Sequence, residues 1–145
     1  MVDMLRRGNT RYRKAIQRTI ANSGRSGIER LVSYAVKDER FRLDAMFVLA
    51  SRPDIAVTLI RNRIRLRLTS IPSFVLESLG ESRSPVVLPV LSTIWERATT
   101  SQREVIARGW GHFEAGLVGE PLLRALKSAT NSRVREEIVR ACGRS

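Results

Sequence analysis

The chain has 145 residues and a formal net charge of +12, with a sequence pI near 11.5. One domain of this length buries ~68–70% of its unfolded surface and needs no disulfide or metal staple. The single cysteine excludes an intramolecular disulfide and a Cys-rich metal site, and the longest apolar runs, Ala45–Ala50 and Val86–Leu91, fall far short of the ~20 residues that span a bilayer.

Residues 1–9 form a short head. Arg7 to Ala21 then reads as an amphipathic helix. Arg7, Arg11, Lys14 and Arg18 follow spacings of four, three and four, which place them on one narrow stripe. Tyr12, Ile16 and Ile20 lie on the opposite side, so the helix offers an apolar face inward and a basic ridge outward. Two roles fit it: a terminal cap with a polar outer face, or a binding ridge. A third reading is an import presequence, because Met4 to Gly27 is Arg-rich and lacks acids; Asp3 and the scarcity of Ser before residue 23 count against it.

Asn22 to Gly27 is a turn. Ser26 with Glu29 gives a capping-box pattern for a helix over Gly27 to Lys37, with Leu31, Val32, Ala35 and Val36 as its buried stripe. Asp38 caps a helix over Glu39 to Ser51, and Pro53-Asp54 restarts the chain. In Asp54 to Leu68, Ala56, Leu59, Ile60 and Ile64 fit a helix, while Arg61, Arg63, Arg65 and Arg67 alternate as in a strand. Helix is expected, because an isolated strand among helices leaves its backbone unpaired. Thr69 or Ser70 caps the next helix, with Pro72 in its first turn. Gly80 to Ser84 is a loop. Helices are expected over Pro85–Arg97, Ser101–Trp110, Pro121–Lys127 and Ser132–Cys142. Gly111 to Gly119 is a connector, Ser128 to Asn131 a turn, and Gly143 a stop.

A repeat underlies this order. Anchored on Ala50, Gly80, Gly111 and Gly143, the units are spaced by 30, 31 and 32 residues. One position before the anchor stand Leu49, Leu79, Trp110 and Cys142; four before, Met46, Leu76, Ala107 and Val139; five before, Ala45, Val75, Ile106 and Ile138. These positions share one apolar helix face, and a core thiol is expected at Cys142. Eight before the anchor stand Arg42, Arg103 and Arg135, with Pro72 in the second copy. Pro89-Val90-Leu91 matches Pro121-Leu122-Leu123, a Pro in the first turn of each helix.

Val134 to Gly143, with Asn131 ahead of it, resembles the second helix of a HEAT-like repeat of the short, lyase-associated type. Asp38 and Arg42, and Thr99 and Arg103, keep the family's four-residue spacing, with Thr in place of Asp; Leu68 and Pro72 depart from it. The resemblance covers Gly27 to Gly143. It implies an all-α fold, an α-solenoid of about four antiparallel helix pairs over 27–50, 51–80, 81–111 and 112–143, with residues 1–26 as a basic N-terminal cap. It implies no reaction.

No catalytic or cofactor motif is present. His112 is the only histidine and sits in a Gly-flanked connector, with no nucleophile elbow in the chain. Neither GxxxxGK[ST] nor GxGxxG occurs. Adjacent Glu136 and Glu137 diverge by about 100° on a helix. Trp95 and Trp110 stand at apolar repeat positions and read as core. Because some HEAT-like proteins are DNA glycosylases, the resemblance also raises a base pocket at Trp110, although the chain is short for that architecture. No enzyme activity, cofactor, metal or small-molecule substrate is expected, and the composition suits a reducing, cytoplasmic location.

The charge is uneven. Residues 1–70 carry sixteen basic and six acidic side chains; residues 71–145 carry ten and eight. A coding bias toward Arg explains 23 Arg against 3 Lys, but not the excess over acids. A basic half points to a polyanion partner. The first expectation is a nucleic-acid-binding repeat module gripping phosphates through Arg7, Arg11, Lys14, Arg18, Arg61 and Arg65, without base-specific readout. The alternative is a protein-interaction adaptor that holds an acidic partner along the exposed side of the second helices, including Arg108 and Arg140. An anionic membrane surface is a weaker option for the N-terminal ridge.

Overall fold

The computed structural model describes Leu5, residues 10–66 and residues 71–144; of Thr10, Arg11 and residues 64–66 only the backbone is described. Nine α-helices lie among these residues, with no strand. They are α1 (Thr10–Asn22), α2 (Arg25–Lys37), α3 (Arg42–Ser51), α4 (Pro53–Leu66), α5 (Ser73–Ser82), α6 (Leu88–Arg97), α7 (Thr100–Trp110), α8 (Ala115–Ser128) and α9 (Ser132–Arg144). Single 3-10 turns, Glu39–Phe41 and Pro85–Val87, lead into α3 and α6. The all-helical expectation is met, including helix rather than strand over Arg61 to Leu66; residues 67–70 lie outside the described part.

The most extensive contacts join helices two apart in the chain. α3 packs on α5, α5 on α7 and α7 on α9, and α1 joins the same row by packing on α3. The even-numbered helices pack against their sequence neighbours, and α4 also touches α6. The core runs through the row, with Ala45, Val75, Ile106 and Ile138 each almost fully buried. These are the residues five before each anchor, so the repeat register and the packing register coincide.

The same register explains two recurrent polar residues. Twelve before the anchor, Asp38, Thr99 and Asn131 begin the turn entering α3, α7 and α9. Asp38 Oδ1 accepts from the Arg40 amide at 3.0 Å. Thr99 and Gln102 form a reciprocal capping box, and Asn131 Oδ1 accepts from the amides of Arg133 and Val134. Each satisfies helix-start N–H groups that have no intrahelical partner. Eight before the anchor, Arg103 donates through Nε to the carbonyl of Trp95 at 3.0 Å. Its guanidinium lies 5.3 Å from the Trp95 ring centroid. Arg135 donates to the carbonyls of Leu126 and Ala129 at 2.9 and 3.0 Å. These arginines close the C-terminal ends of α6 and α8, where the last carbonyls are otherwise unpaired. They are framework, not ligand contacts.

Close approach within the row depends on glycine. A Cβ added to Gly80 on α5 would lie 2.5 Å from Gly109 Cα on α7. Gly109 stands two before its anchor; Ser78 and Ala141 hold the equivalent position, both buried. Gly80 and Gly109 let α5 and α7 cross with backbones nearly touching.

Several expectations are corrected. α8 begins at Ala115, not Pro121, so most of the supposed Gly111–Gly119 connector is helical and Pro121 sits inside the helix. Val118, Leu122 and Ala125 form its buried stripe, and their burial against the core offsets the ladder bond that Pro121 cannot donate. α5 runs through Gly80 to Ser82, so the loop shrinks to Arg83 and Ser84; Arg83 adopts a left-handed backbone at φ 54°. Pro72 lies just before α5 rather than within its first turn. Thr69 and Ser70 lie outside the described residues. α2 starts at Arg25 after Gly24 at φ 94°, with no side-chain cap from Ser26; Glu29 pairs with Arg25 at 2.7 Å instead. Val36 is exposed, not part of the buried stripe. Gly143 does not stop α9, which continues to Arg144.

Cys142 is exposed rather than a core thiol, and Val139 is exposed with it. In earlier copies these two positions hold Leu49, Leu79 and Trp110, and Leu76 and Ala107, all buried, with Met46 partly so. Trp95 and Trp110 are core, as expected, with ring centroids 5.1 Å apart.

Candidate polyanion interface

α1 owes its orientation to one buried carboxylate. Ile16 and Ile20 are buried against the core, and on the same side Arg13 and Gln17 reach Asp44 of α3, which is only 1% exposed. Arg13 Nε donates to Asp44 Oδ1 at 2.7 Å, Arg13 Nη2 donates to Oδ2, and Gln17 Nε2 donates to Oδ1 at 2.6 Å. Arg13 Nη2 also reaches the Arg40 carbonyl at 3.2 Å. The fork of bonds to Asp44 raises the Arg13 pKa above its ordinary value. A charge this deeply buried is tolerated because it is paired bidentately and hydrogen-bonded. Arg13 therefore serves the fold.

With that face fixed inward, Lys14 and Arg18 point outward. Both are exposed, and neither makes an ion pair among the described residues. Tyr12, expected on the packed side, is 63% exposed. Arg11 lies in α1 three residues before Lys14, its side chain outside the described part; Arg7 lies outside it altogether. On α4, Arg61 is exposed and the backbone of Arg65 follows one turn later. α4 is not a member of the row, and α1 and α4 share no extensive contact. The expected set therefore divides into an α1 group and an α4 group.

Arg108 and Arg140, each three before its anchor, do converge. Arg108 lies 3.5 Å from Glu137, and Arg140 pairs with Glu136 at 2.7 Å and with Glu137 at 3.4 Å. Glu137 is shielded, at 13% side-chain exposure. Two cations are thus matched by two carboxylates, leaving little local excess charge.

Shifting the repeat register back 29 residues from Ala50 puts Ala21 at the anchor of α1. Arg13 then stands with Arg42, Arg103 and Arg135, and Arg18 stands three before the anchor with Phe47, Glu77, Arg108 and Arg140. Ile20 and Ile16, one and five before, are buried like Leu49, Leu79 and Trp110 and like Ala45, Val75, Ile106 and Ile138 at the same positions. Sequence reading missed this fifth copy because Gln17 and Thr19 break its apolar pattern. Arg13 standing 29 residues before Arg42 was the available signal. It also missed Leu43 and Phe47, 78% and 41% exposed, which lie on the same outer side of the row.

Other chemistry is sparse. No group of three or more His, Cys, Asp or Glu among the described residues is placed to hold a metal ion. His112 is exposed in the turn after α7, its amide donating to the Gly109 carbonyl. A cleft of about 360 Å³ among α6, α7 and α8 is edged by Leu117, Glu120, Pro121 and Arg124, but the Trp95 and Trp110 rings at its floor are buried. Trp110 Nε1 is buried there without a hydrogen-bond partner among the described residues. No described helix is long and apolar enough to cross a membrane.

No protein-family model matches the chain, and neither a curated protein nor a solved structure does.

Proposed function

We propose that the chain is a non-enzymatic binding module, a short HEAT-like α-solenoid whose N-terminal basic face holds nucleic acid through its phosphates. The solenoid reading is supported by recurrent caps twelve before three of the four anchors, arginines eight before the same three, and buried residues five before all four. Antiparallel pairing of α2 with α3, α4 with α5, α6 with α7 and α8 with α9 accounts for the row of alternate helices. α1 then acts both as a terminal cap and as a ridge.

The observation that carries the functional reading is the pair Lys14 and Arg18, exposed and free of carboxylates among the described residues while Arg13 beneath them is consumed by Asp44. Cations left unneutralised on a face fixed by burial are available to phosphates, and such contacts supply sequence-independent affinity. Arg7 and Arg11 extend the stripe in sequence, and Arg61 with Arg65 adds a second basic group. The adaptor alternative draws less support, because Arg108 and Arg140 are already compensated by Glu136 and Glu137. Fluorescence anisotropy with labelled DNA and RNA across a salt series tests the reading. Binding that weakens steeply with salt is expected, and absence of binding at low salt overturns it.

A further inference from the structure

We infer that the cleft between α1 and α3 seats an unpaired base, so that the nucleic acid held by the α1 face is single-stranded. The inference rests on the polyanion reading above and narrows it. The cleft has a volume of about 230 Å³ and is lined by Arg18, Ala21, Asn22, Phe47, Ser51 and Arg52. No carboxylate lines it. Its one aromatic ring, Phe47, is 41% exposed although it lies between two packed helices. Phe47 and Arg18 occupy the same repeat position on adjacent row helices, and both line this one cleft.

The lining divides by chemistry. Phe47 offers a π-face, and Leu43 one turn earlier extends the apolar surface. Asn22 is exposed and makes no side-chain hydrogen bond among the described residues, so its amide is free to donate to and accept from a base edge. Arg52 is fixed by its bond to the Ala21 carbonyl at 2.9 Å and its pairing with Asp54, which it holds below the usual carboxylate range. It is a rigid basic wall. Arg18 and Lys14, one helical turn apart, are the exposed cations that meet the backbone. A phosphate-only interface has no use for an exposed ring beside its arginine. Interleaved aromatic and basic side chains are how single strands are held, with bases stacked on rings and phosphates on cations. A duplex keeps its base faces stacked internally and cannot offer one to Phe47.

The test compares an oligothymidine of about twelve nucleotides, a length within the reach of one small module, with a duplex of the same length. Anisotropy is read for the wild type, Phe47→Ala, Phe47→Leu, Phe47→Tyr and Arg18→Gln over a salt series. The wild type is expected to bind the single strand more tightly than the duplex. Phe47→Ala and Phe47→Leu should each weaken single-strand binding by roughly 5- to 100-fold without changing the salt slope, since stacking releases no counterions. Phe47→Tyr should restore it. Arg18→Gln should lower the slope by about 0.7, one phosphate contact on a single strand. Phe47→Leu keeps apolar bulk, so it remains informative if the alanine variant unfolds. If the ring variants bind the single strand as well as wild type does, or lose duplex binding equally, the base seat is refuted. In that case a slope change in Arg18→Gln still upholds the polyanion reading. If the wild type binds neither probe at low salt, both readings fall.

Discussion

Replacing Gly80 with Ala tests the row of helices to which α1, with Lys14 and Arg18, belongs. In an exposed helix interior this change stabilises by about 1 kcal/mol, because alanine has the higher helix propensity. At Gly80 the new Cβ would instead sit 2.5 Å from Gly109 Cα, closer than carbon atoms tolerate, and the obstacle is backbone on a packed helix. Relief requires α5 and α7 to separate, which opens contacts along their length. Overpacking of this kind costs about 1–3 kcal/mol, and a backbone obstacle puts it toward the upper end. After the propensity gain, a net loss of about 1–2 kcal/mol remains, a fall in thermal midpoint of roughly 3–6 °C for a domain of this size. Gly119, inside α8 with nothing within 4 Å of an added Cβ, is the control. Gly119→Ala should raise the midpoint by about 2 °C. Thermal unfolding followed by circular dichroism at 222 nm reads both. If Gly80→Ala stabilises as Gly119→Ala does, α5 and α7 do not cross at Gly80 and Gly109, and the row is wrong.

Two further substitutions probe the packing that positions α1 and closes the row. Ile138→Ala deletes a fully buried branched side chain from α9 and should cost ~2–5 kcal/mol in chemical denaturation, with a loss below 1 kcal/mol contradicting its place in the core. Asp44→Ala leaves the Arg13 guanidinium and the Gln17 amide without their acceptor; a loss of about 1–3 kcal/mol is expected. It should also loosen α1, read as faster amide exchange over residues 12–21 than over α7. Unchanged exchange there would separate α1's orientation from Asp44.

Much of the fold was legible because its repeat register carries several independent signals at once. Ala45, Val75, Ile106 and Ile138 mark a buried face, Asp38, Thr99 and Asn131 mark helix starts, and each signal is local. What was not legible depended on neighbours. The Gly-Leu-Val-Gly sequence at 116–119 reads as a connector because two glycines depress helix propensity, yet burial of Val118, Leu122 and Ala125 outweighs that and carries the helix past Pro121. Cys142 and Val139 sit on an apolar face by periodicity, but periodicity does not reveal whether another helix covers that face. For the candidate site, the exposed ridge residues Lys14 and Arg18 were legible from spacing. The division of labour between them and Arg13 was not, because it is set by Asp44, 31 residues away in the chain from Arg13. Phe47 was hidden for a related reason: it stands three before its anchor, at the position of Arg108 and Arg140, but inside the apolar run Ala45–Ala50 its ring reads as core.

The most direct test of a polyanion-binding α1 face is the salt dependence of nucleic-acid binding in the wild type and in a variant with Arg7, Arg11, Lys14 and Arg18 all changed to Glu. For the wild type, log K should fall linearly with log salt, by roughly 0.7–0.9 for each phosphate neutralised. The variant should lose binding while keeping its helical signal, since Lys14 and Arg18 face away from Ile16 and Ile20. A variant that binds as the wild type does, or a wild type that ignores both DNA and RNA at low salt, would contradict the account.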